Sequence, residues 1–341
     1  MNRILVVTPN WLGDCVMATP AFRALKNKYP DSYAAVMTPE RTREVFQNNP
    51  FIDDIITFDE RDNGRSLFAK IKLILTLKKK KFDTVFLIHR SWTRAFLCFL
   101  AEIKTRVGYN RSKNFLLLTN RIDPPAENIH RQDYYLGLFE KYGIPVTDKS
   151  GEVFITADEQ KKYADFFGET RKRNAFIVGL NPSANWDLKR WPAENFSKLA
   201  DTLVKETNCG IVLIGEEKER KLIEEVKSGI RMKPYDLCGK TTLRDLAAII
   251  SGCDIFISND SGPAHLAAAM GINTLVLFGP TAKELTGPRG QAVKIINSSV
   301  GCKIPCYKTN CADNLCMKKI TVEEVLAETK KILAAKKSPQ Q

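Results

Sequence analysis

The feature that most constrains this chain is an alternation that runs twice. Short β-rich apolar runs at Ile4 to Thr8, Ala34 to Met37, Ile55 to Phe58 and Thr84 to Ile88 are separated by amphipathic, helix-like stretches. The pattern then restarts, with Ala175 to Leu180, Gly210 to Ile214, Asp254 to Ser258 and Thr274 to Phe278 spaced in the same way. Strand and helix in regular succession point to parallel sheets covered by helices, so the expected class is α/β with one sheet in each half. The length agrees, because 341 residues exceed the roughly 250 to 300 at which a single core usually stops growing. The expected division is residues 1–155 as a first domain, 156–173 as a polar linker region with a helix at Asp158 to Phe167, and 174–320 as a second domain. Residues 321–341 read as a closing helix and tail, since Thr321-Val322-Glu323-Glu324 is a capping box with acids in the first turn.

Composition excludes several classes. Hydrophobic residues at 44% and charged residues at 27% argue against a disordered or fibrous chain. No window approaches the roughly 18 uninterrupted apolar residues of a spanning helix, and the first apolar stretch breaks at Pro9 and Asn10, too short for a secretion signal. Nine cysteines without such a signal suggest a reducing compartment, the cytoplasm. Lys and Arg outnumber Asp and Glu by 52 to 39, an excess of +13 that favours polyanions: nucleic acid, anionic lipid or phosphorylated glycan. Much of it lies in runs such as Lys78 to Lys81 and Arg171 to Arg173, which solvated helix faces explain better than a binding surface does.

In open parallel sheets ligands bind beyond the carboxyl ends of the strands, so the strand-to-helix loops carry the chemistry. The first such loop, Thr8 to Asp14, leads into a helix expected near Val16, and puts Asp14 at a ligand-binding edge, as a base or as a helix cap. It lacks the G-x-G-x-x-G of a dinucleotide site, since only Gly13 is present, which counts against an epimerase or a dehydrogenase. In the second half, Asn181 to Pro192 sets Lys189 and Arg190 beside a helix expected to begin at Pro192. Cations there oppose the helix dipole unless an anion lies between, although a surface pair and a core Trp191 serve as a bland account.

The strongest signal is Ser258 to Leu266. Ser261 and Gly262 can present backbone N–H groups to a diphosphate at the start of a helix expected over Ala264 to Met270, Asp260 suits sugar hydroxyls, and His265 lies one turn in. Capping by Asp260 or Ser261 is the structural alternative. Phe278-Gly279-Pro280-Thr281 and Leu213-Ile214-Gly215-Glu216-Glu217 repeat the strand-then-glycine form, with Glu216, Glu217 or Glu219 open as a ribose ligand or as exposed helix acids. Cys302, Cys306, Cys311 and Cys316 form a compact run whose spacing leaves a bound metal open, though it lacks the usual C-x2-C pair.

Taken in order, Asn10 to Met17, Lys189-Arg190-Trp191-Pro192 and Asp260-Ser261-Gly262-Pro263-Ala264-His265 resemble the ADP-heptose:lipopolysaccharide heptosyltransferases of glycosyltransferase family 9, especially the heptosyltransferase II group. The resemblance spans nearly the whole chain. It implies a GT-B fold, two facing Rossmann-like domains with an inter-domain cleft, the acceptor bound by the first and the nucleotide sugar by the second. It implies an inverting, metal-independent glycosyltransferase without a cofactor, in which Asp14 is the general base. Lys189, Ser261, Gly262 and His265 then meet the diphosphate, Asp260 the sugar, and Thr241 and Gly215 the rest of the nucleotide. Gly13, Arg90, Arg94 and Arg131 fall to the acceptor, a lipid A-core glycolipid met peripherally at the cytoplasmic face of the inner membrane, with no nucleic acid partner expected. Two alternatives stand beside this reading: a related transferase using another sugar or acceptor, and a non-enzymatic binder of anionic glycolipid or nucleic acid.

Overall fold

The computed structural model describes residues 1–60, 66–110, 115–125, 127–306, 308 and 310–337. The chain divides into two compact units, Met1–Phe154 and Ile155–Gln341.

Among its described residues the first unit holds six parallel strands: β1 (Arg3–Val7), β2 (Tyr33–Thr38), β3 (Asp54–Thr57), β4 (Thr84–Leu87), β5 (Thr105–Tyr109) and β6 (Asn120–Ile122), side by side in the order β3-β2-β1-β4-β5-β6. β1 lies between β2 and β4, with Leu5 opposite Ala35 on one side and Val85 on the other. Central strands made of continuous Val, Ile, Leu and Phe are buried on both faces, as a sheet with helices on each side requires. One face packs against the helices Leu67–Lys80 and Trp92–Leu100, whose Leu73, Leu77, Leu97 and Cys98 join Leu5, Val7 and Val85 in one core.

The second unit repeats the plan. Its strands are β7 (Phe176–Asn181), β8 (Cys209–Leu213), β9 (Tyr235–Asp236), β10 (Ile255–Asn259), β11 (Thr274–Phe278) and β12 (Val293–Asn297), in the order β12-β11-β10-β7-β8-β9, again all parallel. Counted from its own first strand, this is the order of the first sheet. The eight strands expected from the sequence appear within one residue of their places. The four that were not, β5, β6, β9 and β12, are short or polar, and β3, β6, β9 and β12 are sheet edges where burial is incomplete.

Residues 156–173, expected as a linker, form the helices Ala157–Lys161 and Ala164–Arg173, and these belong to the second unit. The reason is electrostatic as much as apolar. Glu159 pairs with Arg244, Lys162 with Asp245 and Arg171 with Asp254, so a segment that looks polar in sequence is tied down by its charges. The last helix, Val322–Lys337, buries Val325 and Leu333 in the same core as β7 and β10.

Candidate active site

Each sheet has one place where the strand order reverses, and there the loops leaving two adjacent strands diverge to form a crevice. In the second unit that place lies between β7 and β10, and it receives the Asn181–Trp191 and Asn259–Gly262 loops. Two buried asparagines stitch these loops together. Asn181 Nδ2 donates to Ser258 Oγ and to Ser261 Oγ, both at 2.9 Å. Asn259 accepts the Trp191 N–H at 3.1 Å and donates to the Pro182 carbonyl at 2.6 Å. Trp191, fully buried, also donates from its indole to the Ile320 carbonyl, which fixes the loop that carries Lys189.

This bracing brings two of the expected residues into contact. Lys189 Nζ donates to Asp260 Oδ2 at 2.7 Å, and Thr281 Oγ1 donates to the same oxygen at 2.6 Å. The Asp260 side chain is 6% exposed and that of Lys189 23%, so the carboxylate is the inner partner and the ammonium faces outward. An ammonium has three donors and Asp260 takes one of them.

The adjoining helix is Gly262–Ala269, two residues earlier than expected, with Ser261 at its N-cap in extended conformation and no side-chain cap. The Ser261 hydroxyl is engaged by Asn181 and Ser258 instead, and the carboxylate of Asp260 by Lys189 and Thr281, so neither residue takes the capping role that was the structural alternative. The helix start therefore keeps its dipole directed at the crevice beside Lys189, a favourable setting for an anion. His265 is buried one turn in.

The neighbouring loops complete this edge. Gly215 follows β8, and its carbonyl accepts the Gly239 N–H at 2.9 Å, which brings it beside the loop holding Thr241. Gly239 has φ +67°, a backbone region that favours glycine. Thr241 stands just before the helix Leu243–Gly252, whose capping box uses Thr242 and Asp245. The acids after Gly215 are occupied locally: Glu216 and Glu219 form a reciprocal capping box and Glu217 pairs with Arg220, and Glu219 is buried rather than an exposed helix acid. Pro192 proves to be an N-cap, one residue before the helix Ala193–Thr207.

Among the described residues no three His, Cys, Asp or Glu side chains are grouped to hold a metal, so Cys302, Cys306, Cys311 and Cys316 do not form a ligand set. The cysteine-bearing segment packs on the loop after β11 instead. The Cys306 N–H donates to the Pro280 carbonyl at 2.7 Å, and a Cβ on Gly279 would stand 2.3 Å from the sulfur of Met317. Residues 310–312 also form one wall of a cavity of about 560 Å³ whose other wall is Asn185 to Leu188, next to Lys189. Of the four cysteines, Cys311 lines this cavity.

In the first unit the reversal lies between β1 and β4. The helix after β1 is Leu12–Ala18, beginning earlier than expected, with Trp11 at the N-cap and Asp14 in the first turn. Asp14 is half-buried, and its Oδ1 accepts the hydroxyl of Tyr135 at 2.8 Å. Burial, and then the negative charge of Asp14, push the Tyr135 phenol well above its ordinary range, so it stays a proton donor to the carboxylate. Arg131, exposed at the start of the helix Arg131–Lys141 that carries Tyr135, is close enough to oppose that effect. Gly13 is buried within the Leu12–Ala18 helix, and Arg90, exposed after β4, stacks on the ring of Tyr134 at 4.7 Å.

Arg94 corrects the sequence reading. Expected among the acceptor contacts, it is completely buried, and it donates to the Thr8 carbonyl at 3.0 Å and to Asn10 Oδ1 at 2.8 Å while pairing with Glu60 at 2.9 Å. It is an internal strut that holds the loops after β1 and β3 to the helix that follows β4. Tyr135 and Asn181 were not foreseen, because only the fold brings them to Asp14 and Ser261, across 121 and 80 residues of sequence.

Two units of the same doubly wound α/β topology, one with a lysine and an uncapped helix start at its switch point, place this chain in a class whose ligands bind beyond the strand ends, in a setting that suits an anion. The profile of glycosyltransferase family 9 (heptosyltransferase) matches residues 70–316, and the chain belongs to that family of glycosyltransferases. It is 28% identical to lipooligosaccharide heptosyltransferase 2 of Haemophilus ducreyi over 97% of its own length and 99% of the relative's. In three dimensions it resembles E. coli ADP-heptose LPS heptosyltransferase II, with a TM-score of 0.83 at 24% identity, covering 99% of this chain and 100% of the other. A family 9 glycosyltransferase of Veillonella parvula gives a TM-score of 0.89 at 22% identity and 98% coverage of both chains. The family and the fold class drawn from the three ordered motifs are thereby borne out.

Proposed function

We propose that this protein transfers heptose from ADP-heptose to the heptosylated inner core of lipopolysaccharide, by inverting displacement and without a metal. The observation that carries the reading is the Lys189–Asp260 pair beside the uncapped start of the Gly262–Ala269 helix, because it offers a cation and a helix dipole to a departing diphosphate. Membership of the heptosyltransferase family and the names of the relatives support the choice of sugar and acceptor. An acceptor hydroxyl attacks the anomeric carbon, its proton passes to Asp14, and the bond from that carbon to the β-phosphate oxygen breaks, the electron pair leaving with ADP. The attack from the face opposite ADP inverts the anomeric centre.

Lys189, the N–H groups at Ser261 and Gly262, and His265 bind the diphosphate. Asp260 orients the sugar and sets the position of Lys189. Gly215 and Thr241 line the rest of the nucleotide, and Gly13, Arg90 and Arg131 meet the acceptor. The acceptor is a lipid A-core glycolipid, which puts the protein at the cytoplasmic face of the inner membrane as a peripheral enzyme. Among the described residues no helix is long and apolar enough to cross a membrane.

The test is ADP release from ADP-heptose with and without a mono-heptosylated core acceptor, for wild type and Asp14→Ala. The expected result is acceptor-dependent release that falls by about 10²- to 10⁴-fold in the variant with ADP affinity unchanged. An unchanged rate removes Asp14 as the base. Release with other acceptors only would move the reading to a related transferase, and none with any acceptor would leave a non-enzymatic binder.

A further inference from the structure

We propose that the outer face of the Leu67–Lys80 and Trp92–Leu100 helices docks on an anionic lipid bilayer. Both helices bury one side in the same core on one face of the first sheet, so the sides they leave exposed face outward from that layer. A helix in this position ordinarily turns polar residues to solvent. Here Leu67 is 72% and Phe68 78% exposed, and Ile71 and Leu75 stand on the same side of the helix. On the second helix Trp92 and Phe99 are exposed, and rings stack along it, Trp92 on Phe96 at 4.8 Å and Phe96 on Phe99 at 6.4 Å. Exposures this high belong to side chains that stand proud of the surface, which suits insertion among lipid chains better than closure over a groove.

The charge around this face selects the occupant. Neither helix contains an Asp or Glu, whereas the first carries Lys70, Lys72, Lys78, Lys79 and Lys80. Lys78 and Lys80 pair with Glu102 and Asp54, and Lys72 and Lys79 are exposed on the same side as the apolar residues. A second copy of the chain, meeting this face with its own, would set those lysines against each other. An anionic bilayer takes the apolar side chains into its interface and neutralises the lysines at its headgroups. This deepens the reading above, in which the acceptor is held in a membrane, yet it is read out by lipid binding alone, so the two fail separately.

The experiment is flotation of the full chain with vesicles of three parts phosphatidylcholine to one part phosphatidylglycerol. Wild type is expected to float with them, and to do so about fivefold less with phosphatidylcholine alone or in high salt. Phe68→Ser/Leu75→Ser is expected to weaken binding about tenfold or more, with thermal stability and ADP affinity preserved. Lys72→Glu/Lys79→Glu, which touches no core residue, is expected to abolish the preference for anionic vesicles. Absence of wild-type binding, binding unchanged in both variants, or a wild-type dimer that Phe68→Ser/Leu75→Ser dissociates would each overturn the proposal, the last by giving the face to a second copy.

Discussion

The crevice between β1 and β4 and the one between β7 and β10 stand at the same point of the same topology, and they are furnished in opposite ways. In the second unit the charge turned toward solvent is the Lys189 ammonium, with the Asp260 carboxylate behind it and an uncapped helix start alongside. In the first the half-buried Asp14 carboxylate has a buried tyrosine behind it, and Arg90 is exposed after β4. The bracing differs too: neutral asparagines hold the second pair of loops, and the charged strut Arg94 holds the first. The shared strand order decides where a crevice can form, and the side chains of two loops per unit decide which charges line it.

The sharpest way to break this contrast is to remove the cation. Lys189→Ala is expected to lower kcat/KM for ADP-heptose by about 10²- to 10³-fold and to weaken ADP binding, measured by initial rates and calorimetry. An ADP affinity equal to wild type would mean that Lys189 only pairs with Asp260. A smaller effect is expected on the other side. Tyr135→Phe deletes the hydroxyl that donates to Asp14 Oδ1, so kcat is expected to fall by about tenfold with KM for ADP-heptose and ADP affinity unchanged. An unchanged kcat would reduce Tyr135 to a packing residue.

The smallest effect concerns the segment that the sequence assigns to a linker. The hydrogen bonds from Arg244 hold the Glu159 carboxyl down to about 2, against an ordinary value of 4.5. A depressed carboxyl gives stability that is present above its unfolded value and is lost as pH falls through the folded one. Glu159→Gln is therefore expected to lower Tm by about 1–3 °C near neutrality, the gap to wild type closing between pH 4.5 and about 2. A gap that persists at pH 2 would assign the loss to packing rather than charge.

How much was legible follows from what each signal depends on. β1, β4, β7 and β10 are continuous apolar runs, visible because full burial dictates composition directly, and the loops after them could be named as sites because parallel strands bind at their carboxyl ends. β9, with only two residues at an edge, leaves no such trace. Arg94 and Arg90 look alike in sequence, four positions apart, and no local pattern tells that one is wholly buried and the other exposed.

The sequence by itself determined the class, the doubling of the fold and the loops at the strand ends where a site is to be sought, because these follow from local periodicity and from residue types at strand ends. Only the tertiary structure decided the partners: Lys189 with Asp260 across 71 residues, Asp14 with Tyr135 across 121, and Glu159 with Arg244 across 85. Such contacts depend on strand order and crossover, which set distances between residues far apart in the chain, and hydrophobic periodicity carries no record of them.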